Sequence, residues 1–69
     1  MDFPIQGEYI ELCKLLKAAN LVMSGGEGKE VVAQGLVSVD GLPETRKRRK
    51  IRPGQSVAFE GNTIEVVQG

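Results

Sequence analysis

At Gly35 the spacing of apolar residues changes, and that change constrains the fold more than any other feature of the chain. Before it, Leu12, Leu15, Leu16 and Ala19 recur at i, i+3, i+4 and i+7, which places them on one face of a helix. After it, Val37 and Val39 alternate with Ser38 and Asp40, and Val57 and Phe59 alternate with Ser56, Ala58 and Glu60. That period of two belongs to strands buried on one side.

The residues between these runs are stop and start signals. Asn20 tolerates the left-handed conformation that ends many helices, and Gly35 is a natural residue to follow a second one. That second helix starts at Ser24, where Ser24-Gly25-Gly26-Glu27 has capping-box spacing, and Val31 and Val32 give its buried stripe. Asp40-Gly41 and Pro53-Gly54 mark turns. Gly61-Asn62 reads as a two-residue hairpin between Val57–Phe59 and the run from Thr63 to Val67, in which Ile64 and Val66 point inward. The expected fold class is therefore α+β: two packed helices followed by a small, mainly antiparallel sheet of short strands. The expected core holds Leu12, Leu15, Leu16, Val31, Val32, Val37, Val39, Val57, Phe59 and Ile64. Residues 1–8 contain Pro4 and Gly7, show no period, and read as a tail, leaving residues 9–69 as a single domain.

A chain of 69 residues has room for one domain. At this size folding buries only roughly 60% of the unfolded surface, so deep walled active sites are hard to build and binding modules are the commoner outcome. The expectation is a protein without catalytic activity, cofactor or small-molecule substrate. The lone Cys13 cannot form an internal disulfide, a metal site needs several converging Cys, His or carboxylate ligands where the acids here are scattered, and with no histidine there is no base to activate the thiol. Cys13 reads instead as a small buried hydrophobe beside the first helix's apolar face. Met1 to Glu8 lack the basic start and apolar core of a signal peptide, and no apolar run is long enough to span a bilayer. A cytoplasmic monomer, away from membranes, is expected.

Net charge is zero, yet six of the nine basic residues fall within seven positions: Arg46, Lys47, Arg48, Arg49, Lys50 and Arg52. This segment carries +6 and the remainder −6, an asymmetry that suits a polyanion. If the segment is extended, alternate residues stand roughly 6.6 Å apart on one side, making Arg46, Arg48, Lys50 and Arg52 a single cationic row. Ile51 would anchor the other side to the core. Arginine's planar fork suits phosphate, and the basic patch points to nucleic acid. DNA, or an acidic protein partner, would satisfy the same cations. Of the aromatics Phe3, Tyr9 and Phe59, the strand pattern turns Phe59 inward, and none is expected beside the basic run. Folded RNA, with phosphates in a fixed array, is thus a better match than a single strand needing stacking platforms.

The glycine-rich stretch Gly25-Gly26-Glu27-Gly28-Lys29 fails as a nucleotide-binding motif. Met23 stands where a phosphate-binding loop requires its first glycine, and Glu30 stands where it requires serine or threonine. Val31 occupies the last glycine position of the dinucleotide fingerprint. What remains is a capped helix start that permits close packing.

Leu12, Leu15 and Leu16, then Ser24 to Gly35, then Val37-Ser38-Val39-Asp40-Gly41 together resemble the alpha-L RNA-binding domain first known from the small-subunit ribosomal protein S-four. Glu44-Thr45-Arg46-Lys47-Arg48 and Pro53-Gly54-Gln55 are similar to small stand-alone YbcJ-type members, and the similarity runs over about residues 9–67. The resemblance implies an RNA-binding module, with rRNA or tRNA-like structured RNA as partner, serving ribosome assembly, RNA modification or translation. Lys29 matches a basic position of the family's second helix. Glu11, Leu12 and Cys13 replace the Arg-Leu-Asp that opens the first helix in many members, and Gly25 replaces an arginine. Loss of those two basic positions shifts the expected grip toward Arg46 to Arg52.

Overall fold

The computed structural model describes residues Met1 to Gly69. Its elements follow in the order β1 (Asp2–Ile5), β2 (Ile10–Glu11), α1 (Leu12–Ala18), α2 (Gly25–Ala33), β3 (Val37–Val39), β4 (Leu42–Pro43), β5 (Lys50–Ile51), β6 (Ser56–Phe59) and β7 (Asn62–Gln68). Five strands form one sheet in the order β1-β7-β6-β3-β4, while β2 and β5 form a separate two-stranded ribbon. All pairings are antiparallel except β1 with β7. No helix is long and apolar enough to cross a membrane.

Both helices end by the same device. Leu21 N–H donates to the Leu16 carbonyl and Asn20 N–H to that of Lys17; Leu36 N–H donates to Val31 and Gly35 N–H to Val32. These crossed bonds satisfy the last carbonyls of each helix while Asn20 and Gly35 adopt positive φ, as their residue types predicted. At the start of α2, Ser24 Oγ accepts from Glu27 N–H at 3.1 Å. Glu27 reaches back past Ser24 and accepts from Met23 N–H at 2.6 Å, a one-residue variant of the expected capping box.

One core cluster joins helices and sheet. Leu12, Leu15, Leu16, Val32, Val37, Val39, Val57, Phe59 and Ile64 are buried in it as expected, with Ile51 fully enclosed. Val31 sits only at its margin, and the core also takes Ile5, Val22 and Val66. Cys13 is buried beside it.

Three local expectations need correction. Residues 2–5 are not a tail: they form β1, running parallel to β7 with Phe3 opposite Val66 and Ile5 opposite Gln68. Pro4 hid the strand, because proline is excluded from central strands but tolerated at an edge, where β1 lies. The last hairpin turns on Glu60-Gly61 rather than Gly61-Asn62. Phe59 pairs with Asn62, and Glu60 and Gly61 both take positive φ, the geometry that matches the twist of the flanking strands. Finally, Arg46 to Arg52 is not an extended row. Only Lys50 and Ile51 are strand, and the residues before them turn, with Arg49 N–H donating to the Arg46 carbonyl at 3.2 Å.

Candidate nucleic-acid interface

The turn in the basic segment follows from the needs of α1. A helix leaves its first amides without internal partners, and Glu11, the residue before α1, gives them no side-chain cap. The basic loop supplies the missing acceptors: Leu12 N–H donates to the Arg49 carbonyl at 2.9 Å and Cys13 N–H to that of Lys47 at 3.3 Å. The β2–β5 ribbon, with Ile10 opposite Ile51 and Glu11 opposite Lys50, continues the attachment. Ile51 plugs the core. Beyond it, Gln55 N–H donates to the Arg52 carbonyl at 3.1 Å and Arg52 N–H to Gln55 Oε1 at 2.8 Å. Pro53-Gly54 makes that turn, with Gly54 at positive φ. The loop is therefore an ordered edge, although not a straight one.

Glu44 holds the other end. It is buried, and it accepts from Arg46 Nε at 2.9 Å, Arg46 Nη2 at 3.1 Å and Arg49 Nη1 at 2.6 Å, with Arg46 N–H adding a fourth bond at 3.0 Å. The hydrogen bonds from the Arg46 side chain, then its backbone N–H, and then Arg49 outweigh burial and hold the Glu44 carboxyl down to about 2. The same bond raises the pKa of Arg46. Two of the six cations are thus partly spent on an internal carboxylate.

The other four face outward. Arg48 stands 3.8 Å from Glu11, a long ion pair on a side chain that is 80% exposed. Lys47, Lys50 and Arg52 have no carboxylate within ion-pair distance. Arg46, Arg48, Arg49, Lys50 and Arg52, with Pro53 and Gln55, surround an open depression of about 800 Å³ that contains no hydrophobic residue. Lys29 lies outside it. A second, smaller depression of about 350 Å³ gathers Lys29 with Lys14, Lys17, Gly25 and Gly26, and shares Arg48 with the first. Five of the seven basic residues named from sequence line the first depression, Lys29 lines the second, and Arg48 belongs to both. Lys14 and Lys17 are the additions. Their place follows from a helix packing that no sequence spacing reveals.

Gly28, in the first turns of α2, explains how the helices come so close. A Cβ on Gly28 would sit 3.0 Å from the Cys13 carbonyl oxygen, so the backbones of α1 and α2 approach closely there. Tyr9 is the further correction. It was not expected beside the cations, yet its ring lies 4.9 Å from Lys50 Nζ and 5.9 Å from Arg52 Cζ. The β2–β5 pairing places it there, and an isolated pair of two-residue strands has too short a pattern to be read in advance.

The S4 domain profile matches residues 3–67, nearly the whole chain. The chain belongs to the S4 domain family. Relatives of this S4 domain include the putative RNA-binding protein YbcJ of Escherichia coli K12, 49% identical over 59 residues, which cover 86% of this chain and 84% of that protein. A second is the probable ribosome maturation protein RlbA of Bacillus subtilis 168, 37% identical over 57 residues, or 83% of this chain and 80% of the relative. Among solved structures, the solution structure of E. coli YbcJ, described as having an αL motif involved in RNA binding, superposes with a TM-score of 0.74. It is 45% identical and the match covers 96% of this chain and 85% of that one. The S4 domain thus has the two helices and mainly antiparallel sheet that its sequence implied.

Proposed function

We propose that this S4 domain binds RNA through the basic loop, without catalysing a reaction, and that its targets are structured RNAs such as rRNA or tRNA-like folds. It acts as a cytoplasmic monomer in ribosome maturation or a related step of RNA metabolism. The observation that carries this reading is the ordered edge itself: Lys47, Arg48, Lys50 and Arg52 project from a loop pinned to α1 by two backbone hydrogen bonds and to the core by Ile51. A loop backbone fixed in advance need not be ordered on binding, and each phosphate its cations neutralise releases counterions. The descriptions of the YbcJ and RlbA relatives support RNA rather than DNA or an acidic protein as the polyanion.

A salt titration tests it. With about four phosphates neutralised, log affinity for a hairpin-rich RNA falls against log salt with a slope of roughly −3 to −4. Replacing Lys47, Lys50 and Arg52 together by glutamine brings the slope to about −1 while the circular dichroism spectrum is retained. An unchanged slope in the triple variant, or equal binding of polyglutamate by the wild type, overturns the reading.

A further inference from the structure

The geometry points to Tyr9 as a stacking platform for one unpaired nucleobase, so that the RNA held by the basic loop carries a bulged or flanking unpaired nucleotide beside its helical stem. The inference rests on the RNA-binding reading above and adds a base-contacting residue to it.

Three observations support it. Tyr9 is 42% exposed, whereas Phe59 is buried and Phe3 packs against the core. It is therefore the aromatic ring that solvent, and an incoming base, can reach. The ring is also placed by the ribbon that carries the cations. Ile10 pairs with Ile51 and these two turn toward the core, so their neighbours Tyr9 and Arg52 emerge together on the outer side. Lys50 Nζ at 4.9 Å and Arg52 Cζ at 5.9 Å then lie within cation–π range of the ring and hold its orientation. Finally, Lys50 and Arg52 also line the larger basic depression and have no carboxylate partner. Both cations stand over the ring, within reach of the phosphate of a nucleotide whose base stacks on whatever part of the ring they leave open.

The number of platforms limits the ligand. Extended single strands are held by successive aromatic rings, and here the other two rings, Phe3 and Phe59, are packed against or buried in the core. One base is stacked, and the surrounding nucleotides are gripped by phosphate alone. The bland alternative is that Tyr9 merely shields Ile10 and Ile51 from water, a role that leucine would fill as well.

The test uses two RNA hairpins, identical except that one carries a single bulged 2-aminopurine, titrated with the full chain and with Tyr9→Phe and Tyr9→Leu. For the wild type and Tyr9→Phe, the bulged hairpin binds roughly 10-fold tighter than the paired one, in the range expected for one stacked base, and the 2-aminopurine emission is quenched. Tyr9→Leu keeps the affinity and salt slope for the paired hairpin and loses both the preference and the quenching. Retention of both by Tyr9→Leu, or no preference in a wild type that still binds the paired hairpin, overturns the stacking role and leaves phosphate binding standing. Failure of the wild type to bind either hairpin overturns both readings.

Discussion

Glu44 and Gly28 each answer a need that only the folded chain creates. Glu44 sits two residues before the cations and fastens Arg46 and Arg49 with four hydrogen bonds, counting the Arg46 backbone. Its folded pKa, about 2, lies below the ordinary value of 4.5. The ionised carboxylate therefore stabilises the fold above pH 4.5, and that contribution is lost as pH falls from there toward 2. Urea unfolding of Glu44→Gln between pH 2 and pH 7 should show a flatter acid limb than the wild type, with lower stability at neutral pH and convergence near pH 2. Gly28 answers the need for close helix packing. An alanine there gains helix propensity of about 1 kcal/mol. It also drives a methyl against the Cys13 carbonyl, 3.0 Å away on backbone that cannot retreat easily, and overpacking costs typically 1–3 kcal/mol. Gly26, whose nearest neighbour is Ser24 Oγ at 3.8 Å, has room. Gly26→Ala should stabilise by about 0.5–1 kcal/mol, whereas Gly28→Ala, its propensity gain set against the overpacking cost, should destabilise by up to about 2 kcal/mol. Equal signs in thermal melts of the two variants would contradict the close approach.

The elements show what a sequence pattern conveys and where it fails. The helices, their caps and the β3 and β6 strands were legible because each carries several turns or alternations and a residue suited to its end, as Asn20 and Gly35 are. The seven-position cluster of cations was legible as charge, but its shape was not. Its turn depends on α1 lacking a cap of its own and on Glu44 competing for Arg46 and Arg49, both products of tertiary contact. Tyr9 was missed for the same reason, since β2 and β5 are two residues each and have no period to detect. In β1 the alternation was present in Phe3 and Ile5, but Pro4 between them argued against a strand. That strand now has an energetic consequence. Ile5 is buried in the shared core, so Ile5→Ala should cost about 2–4 kcal/mol in urea unfolding. A residue in a solvated tail would change stability by no more than about 0.5 kcal/mol.

At the scale of the whole molecule the two basic depressions form one surface, because Arg48 lines both. The larger is built by the loop between β4 and β6, the smaller by α1 and the start of α2. Two cationic regions on a rigid body fit a ligand whose phosphates come in two fixed tracks, as across a groove of folded RNA, better than one flexible strand. The shared residue should then matter most among single contacts. Arg48 is 80% exposed and its pairing with Glu11, at 3.8 Å, is weak enough to be exchanged for phosphate. Lys29 touches only the smaller depression. Arg48→Gln should weaken binding to a hairpin-rich RNA roughly 10-fold and reduce the salt slope by about 1, with Lys29→Gln losing less than half of that in log affinity. The same surface predicts the order of ligands. In competition at physiological salt, the hairpin-rich RNA should displace both its unstructured counterpart and duplex DNA of equal length, since only it combines the A-form phosphate spacing with 2′-hydroxyls in a fixed array. Equal competition by all three would leave a nonspecific polyanion sink, in which Arg48 and Lys29 are interchangeable. Preference for the unstructured strand would mean that the phosphate tracks are not read together, and would overturn structured RNA as the target.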